Sequence, residues 1–189
     1  MEFSTDRLVL RTVRMEDKDA MYQYRSDPDT SQYLITIPRS ADDVAELIGK
    51  SSVVMDVPGT WFQFVLIEKV SNTLIGDIGV HFLETDPENT QVEIGYTLDK
   101  AFRGKGYATE ALRAIIDYLF NTLKKRRIIA SIDPSNSASI RLVERLGFRK
   151  EAHFVESLFF HGKWVDDLIY AILAKEWRQK YDDNSRFQP

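Results

Sequence analysis

Residues 99–111 read DKAFRGKGYATEA. Gly104, Gly106 and Ala108 alternate with Arg103, Lys105 and Tyr107, and a helical run follows at once. In that run Ala108, Leu112, Ile115, Ile116, Leu119 and Leu123 recur at three- and four-residue spacing, which gives one apolar stripe. The first turn of a helix carries backbone N–H groups with no partner inside the helix, and the helix dipole adds positive potential there. Small residues let a bulky anion approach that backbone, and Arg103 and Lys105 add charge. A phosphate or pyrophosphate fits the turn. So does a glycine-rich turn that only starts a helix.

Working outward, three strand-like runs precede the turn: TWFQFVLIEK at 60–69, TLIGDIGVHFL at 73–83 and TQVEIGYTL at 90–98. Their short polar connections predict an antiparallel meander. Upstream, RLVLRTV at 7–13 alternates Leu8 and Leu10 with Arg7, Val9 and Arg11, as a half-buried strand does. Helices are expected over 16–27 and from about Ser40 to Ser52, the second capped by Ser40 with Asp43 three residues on. Downstream come a strand, RRIIASI, and a helix from about Asn136 to Leu146 that Gly147 ends. Two further strands are expected near 151–160 and 164–173. The strongest helix thus joins two strands, as a crossover requires.

Composition narrows the function. The 189 residues include 25 Lys and Arg against 29 Asp and Glu, a formal net charge of −4, and no cysteine. Disulfides, thiolate metal sites and a cysteine nucleophile are excluded. A nucleic-acid binder more often carries a basic stripe. The only dense basic run, KKRR at 124–127, reads as a solvated helix end. The N-terminal MEFSTDRLVLRTVR is charged and alternating, unlike a signal peptide or membrane span, so the cytoplasm is the expected location. One domain over 1–189 is expected, with a core of about 5–175 and a short C-terminal tail.

Two familiar phosphate loops fail. GKSS at 49–52 supplies the end of a Walker A loop, but Val44 stands where its first glycine belongs. The dinucleotide fingerprint needs Gly or Ala where Thr109 follows Gly104 and Gly106.

A second segment, NSASIRLVERLGF at 136–148, changes the reading. With RGKGYA some thirty residues earlier, it resembles the GNAT superfamily of acyl-CoA-dependent N-acetyltransferases. The pyrophosphate loop of that family, [QR]-x-x-G-x-[GA], matches Arg103, Gly106 and Ala108. Its later segment, N-x-x-[SA] before a helix ending in E-[KR]-x-G-F, matches Asn136, Ser139, Glu144, Arg145, Gly147 and Phe148. TDRLVLR, EIGYTLDKAFRGKGYATEAL and GKWVDDLIYAIL further resemble the Rim-type ribosomal-protein N-terminal acetyltransferases and their relatives. The resemblance implies a mixed α/β GNAT fold: a twisted, mostly antiparallel sheet of about seven strands flanked by about four helices.

It also implies direct transfer of acetyl from acetyl-CoA to an amine, with no metal. Cofactor contacts would come from Arg103, Gly104, Lys105, Gly106, Tyr107, Ala108 and Thr109 at the pyrophosphate. Thr97 and Leu98 would pair with the pantetheine arm, where the family splays two strands apart. Asn136 and Ser139 would touch the arm, and Asn136 equally suits a helix N-cap. An α-amine has a pKa of about 7.7–8.0 and a lysine-like amine about 10.4, so at pH 7 the second lies about 4–5 kcal/mol from its reactive form. A carboxylate can relieve this. Glu93 is the candidate base, or else a strand glutamate paired with a neighbour. Some relatives carry a glutamate on the strand before the Asn motif, but Ser131 stands there. Many relatives use a tyrosine as acid where Val143 stands, and Ser139 is the substitute candidate.

The remaining polar residues read more plainly. His81, His153 and His161 lack metal-ligand spacing, and His81 reads as an ordinary strand residue or else as one that faces the acceptor cavity. Trp61, Phe62 and Phe64 are expected in the core, with one of them a candidate wall of the acceptor pocket. Asp166 and Asp167 face opposite ways on a strand, and one could attract a cationic amine. The expected acceptor is a protein N-terminal α-amine, with a small amine (polyamine, amino sugar or antibiotic) or a non-catalytic acyl-CoA binding module as alternatives. Loops 28–40 and 84–90 and the last hairpin would set the acceptor. A homodimer is expected by analogy with relatives.

Overall fold

Fully buried Leu8 and Leu10 show what alternation builds here: a strand with one face in the core and arginines on the other. In the computed structural model, which describes residues 1–34 and 36–185, that strand is β2 (Leu8–Thr12), paired with β1 (Glu2–Ser4). The antiparallel meander follows as β3 (Trp61–Glu68), β4 (Thr73–Phe82) and β5 (Gln91–Leu98). The second half adds β6 (Arg127–Ile132), β7 (Arg149–Phe160) and β8 (Lys163–Leu173). The sheet order is β1-β2-β3-β4-β5-β6-β8-β7, and every pairing is antiparallel except β5 with β6.

The helices are α1 (Lys18–Arg25), α2 (Pro28–Ser31), α3 (Ala41–Lys50), α4 (Tyr107–Asn121), α5 (Ser137–Leu146) and α6 (Ala174–Ser185). α4 is the crossover between the parallel strands β5 and β6. Its Leu112, Ile115, Ile116 and Leu119 are fully buried in the main core with β2–β6, α5 and Trp177 of α6. α1 and α3 form a smaller cluster, in which Met21, Tyr24, Val44 and Ile48 meet Val65 of β3. Ser40 caps α3 as expected, its hydroxyl accepting the Asp43 N–H at 3.3 Å.

The GNAT expectation holds for the fold, with corrections in detail. The described residues hold eight strands where about seven were expected, because Glu2–Ser4 adds a strand ahead of Leu8. They hold six α-helices where about four were expected. The first extra one is α2, a single turn with Pro28 at its start and the Asp27 carboxylate accepting the Asp29 N–H. The second is α6, a polar run anchored by buried Trp177, whose indole N–H donates to Asp117 at 2.6 Å. It occupies most of the expected tail, and residues 186–189 lie outside the described residues. KKRR is a solvated helix end only in part: Lys124 and Arg126 are exposed, but the other two cations are not free in water. Lys125 is buried, its ammonium bonded to the Asp56 carboxylate and the Asn89 carbonyl, above the Phe82 ring. Arg127 opens β6 and pairs with Glu151. Two loops use Lys125 as their common anchor, and their acceptors draw it out of water.

One feature of the sheet positions the site. β5 and β6 are registered only over Gln91–Glu93 and Arg127–Ile129. β5 then runs on to Leu98 along β4, and β6 to Ile132 along β8. The two strands separate, and one edge of β5 beyond Glu93 is left facing the opening.

Candidate active site

A cleft of about 1350 Å³ occupies that opening. Gly104, Gly106, Ala108 and Thr109 line one end, Tyr96, Thr97 and Leu98 one wall, and Asn136 and Ser139 the other. Trp61, His81 and Glu93 line it on the far side. The structure therefore brings together the glycine turn, the Asn segment and the candidate base, which the sequence spreads over more than forty positions.

The turn is built for exposed amides. Gly104 and Gly106 sit at φ +74° and +84°, where only glycine is unstrained. Gly106 is the residue ahead of α4, so the N–H groups of Tyr107, Ala108 and Thr109 have no acceptor within the helix. Of the expected contact run Arg103 to Thr109, the Arg103 N–H is already spent on the Lys100 carbonyl. Both cationic side chains of the turn serve the protein itself. The Arg103 guanidinium donates to the Leu98 carbonyl at 3.1 Å, the Asp29 carbonyl at 3.2 Å and the Thr30 hydroxyl at 2.8 Å. The Lys105 ammonium donates to the Ala101 carbonyl at 2.9 Å. Arg103 thus joins the end of β5, the turn and α2.

Asn136 caps α5, its Oδ1 accepting the Ser139 N–H at 3.1 Å. Asn136 also lines the cleft. Ser139 lies in the first turn of α5, and its carbonyl accepts the Tyr96 hydroxyl at 3.4 Å. Burial pushes the Tyr96 phenol up to about 12, so it stays a donor at any working pH. Val143 is fully buried and packs in the core.

On the far side, Glu93 of β5 lies directly across from His81 of β4. Glu93 Oε2 is 3.4 Å from His81 Nδ1, and both side chains are 27% exposed. The His81 ring stacks on Trp61, with centroids 4.7 Å apart and planes within 6°. Gly79 makes this possible, since a Cβ there would lie 2.9 Å from the Trp61 ring. His81 is therefore more than an ordinary strand residue. Trp61 lines the cleft, while Phe62 and Phe64 are buried in the core.

Two clusters were not legible in the sequence. Beneath the cleft, Asp77 of β4 accepts the Tyr24 hydroxyl at 2.7 Å and the Arg25 guanidinium, which also reaches the Thr97 hydroxyl at 3.4 Å. Near the β6–β8 end, buried Asp167 accepts the Ser131 hydroxyl at 2.7 Å. A carboxylate thus stands beside position 131, supplied by β8 instead of β6. Asp166 is held by His153 at 2.7 Å and the Glu156 N–H at 2.9 Å. Glu156 takes φ +46° at an irregularity in β7, a feature with no marker in the residues around it. Of the loops expected to set the acceptor, 28–40 includes residue 35, which lies outside the described residues. Among the described residues, no group of three or more His, Asp or Glu side chains is placed to hold a metal ion. Nor is any described helix long and apolar enough to cross a membrane.

Comparison with known proteins agrees with this geometry. The acetyltransferase (GNAT) domain family matches residues 7–149. The uncharacterized N-acetyltransferase p20 of Bacillus licheniformis is 34% identical over 177 residues, covering 92% of this chain and 96% of that one. The alanine N-acetyltransferase of ribosomal protein uS5 from Escherichia coli is 37% identical over 84 residues, covering 44% of this chain and 43% of that one. The crystal structure of a GNAT-family acetyltransferase from Bacillus anthracis superposes with a TM-score of 0.81 at 31% identity, covering 93% of this chain and all of that one.

Proposed function

The chain belongs to the GNAT acetyltransferase family and is an N-acetyltransferase, and from that premise we propose that it moves acetyl from acetyl-CoA to the α-amine of a protein N-terminus. The observation that carries the donor site is the separation of β5 and β6 beside the glycine turn. The free edge of β5 at Leu98 can hydrogen-bond a pantetheine amide as a neighbouring strand would, whereas Thr97, in register with Asp77, spends its own N–H and C=O on β4. Gly104, Lys105 and Gly106, with the N–H groups of Tyr107, Ala108 and Thr109, cradle the pyrophosphate. Arg103 acts by holding this turn on β5 and α2, and Asn136 and Ser139 border the arm.

Chemistry then falls between that edge and Glu93. The neutral amine nitrogen attacks the thioester carbonyl, the C–S bond breaks, and the acetyl group ends on nitrogen. Glu93 takes the amine proton, directly or through one water, and His81 and Trp61 fix its side. The thiolate leaves with a pKa of about 8.5 and needs little help, which Ser139 supplies. The partial match to the uS5 alanine acetyltransferase supports an α-amine acceptor. Glu93 and Asp167 in one cleft also suit a small cationic amine. The reading takes the chain as one domain acting in the cytoplasm.

The test is thiol release from acetyl-CoA against peptides with Ser, Ala or Met N-termini, polyamines and aminoglycosides. Turnover of peptides that N-terminal blocking abolishes supports the α-amine reading. Turnover confined to small amines overturns it in favour of metabolite or drug modification.

A further inference from the structure

The strand motif TDRLVLR plays no part in the chemistry above, yet its first arginine reaches the glycine turn. Arg7 Nη1 donates to the Lys105 carbonyl at 2.8 Å. Arg7 Nε pairs with Glu110 Oε2 at 2.7 Å, and the guanidinium lies 4.5 Å from the centroid of the Tyr107 ring. Glu110 is fixed in turn by the Thr5 hydroxyl at 2.6 Å and the Arg7 N–H at 2.8 Å. Desolvation would raise the Glu110 carboxyl, but these donors outweigh it and hold it below the usual range. Four groups from residues 5–7 therefore grip the turn and the first helical turn behind it.

We propose that Arg7 is a positioning residue for acetyl-CoA, holding the 105–106 peptide so that the Gly106 N–H faces the pyrophosphate. The inference rests on the turn being the pyrophosphate site. Its physical basis is the planarity of the peptide: a trans unit points its C=O and N–H in opposite directions. An arginine that fixes the Lys105 carbonyl therefore fixes the Gly106 N–H on the other side. The turn needs such a clamp, because glycines at 104 and 106 leave its backbone conformationally free. The same contact gives Gly106 a second reason to be glycine. A Cβ there would stand 3.3 Å from Arg7 Nη2. The arginine acts from outside the cleft, through the backbone, and touches no reacting atom.

The experiment measures dissociation constants by calorimetry for acetyl-CoA and for S-acetylpantetheine, which lacks the pyrophosphate. Wild type, Arg7→Ala, Arg7→Lys and Gly106→Ala are compared. At 44% side-chain exposure, Arg7 can be replaced without emptying the core. Both Arg7 variants should bind acetyl-CoA about tenfold more weakly, a typical coupling between groups in direct contact. S-acetylpantetheine affinity should stay near wild type, and the melting temperature without donor should fall by no more than about 4 °C, the most that losing the half-exposed pair with Glu110 can cost. Lysine keeps the charge but cannot span carbonyl, carboxylate and ring at once. If Arg7→Lys restores affinity, charge alone acts and the positioning role is wrong. If Arg7→Ala keeps wild-type affinity while Gly106→Ala loses it, the turn is the site and Arg7 is not its clamp. If both ligands weaken equally, the effect is general and the proposal falls. A wild-type protein that binds acetyl-CoA no better than S-acetylpantetheine would overturn the site itself, and this inference with it.

Discussion

Replacing Asp77 by alanine should remove a large share of the folding stability. Asp77 is 1% exposed and Arg25 8%. The carboxylate is the partner of both the Arg25 guanidinium and the Tyr24 hydroxyl. Burial, reinforced by the Asp77 charge, pushes the Tyr24 phenol well above its usual value, so it remains a donor. Alanine at 77 leaves a guanidinium in the interior with the Thr97 hydroxyl at 3.4 Å as its remaining hydrogen-bond partner among the described residues, and a tyrosine without its acceptor. Breaking a buried pair from one side costs about 3–5 kcal/mol. For a chain of this length about 2–4 °C of melting temperature is lost per kcal/mol, so a drop of about 6–20 °C is expected in thermal unfolding followed by circular dichroism. The double substitution Asp77→Leu with Arg25→Met should recover most of it, because the loss comes from an uncompensated charge and not from the absence of a bridge. A melting temperature for Asp77→Ala within about 4 °C of wild type would refute the reasoning, since a solvated pair contributes no more than that.

Other expectations follow from the cleft. Glu93→Gln should lower kcat/KM at pH 7 by about 10²–10⁴ if Glu93 carries the proton, and the deficit should shrink at pH 9 with α-amine acceptors. A deficit that is the same at both pH values would remove Glu93 from that role. Gly79→Ala forces its new methyl into the Trp61 ring, so KM for the acceptor and the tryptophan emission should change while acetyl-CoA affinity stays. Unaltered acceptor KM would mean that Trp61 does not border the acceptor. Glu110 sits below its usual 4.5 in the fold, so its stabilisation is complete above pH 4.5 and is lost as pH falls through the folded value. A melting-temperature profile against pH should bend downward below that point, and Glu110→Gln should flatten the bend. An identical acid limb in the variant would contradict this.

What was legible followed from short-range pattern. Alternation at Leu8 and Leu10, the Ser40 cap and the stripe from Ala108 to Leu123 are local signals, and each element formed where it was read, except that α4 ends at Asn121 and leaves Leu123 beyond it. The separation of β5 from β6 was legible only through the family motifs, because nothing in QVEIGYTL marks where its pairing stops. Lys125 was misread because a basic run carries no sign of the acceptors that loops 52–60 and 84–90 bring to it. α6 was missed because its polar composition hides the one tryptophan that docks it. At the site, Glu93 could be named from its strand. Its pairing with His81, the Trp61 stack and the Asp167–Ser131 bond depend on strand register, which no local pattern encodes.

The unpaired edge of β5 also bears on how long the protein survives. A donor that hydrogen-bonds the free edge at Leu98 would act as a missing strand of the sheet, and so would bind the folded chain and not the unfolded one. Ligands of that kind raise apparent stability with their concentration, by about 2.7 kcal/mol at a hundred times Kd. Protease resistance and thermal half-life should therefore track the acetyl-CoA supply. In a cell starved of acetyl donor, the enzyme would be cleared faster as well as idle.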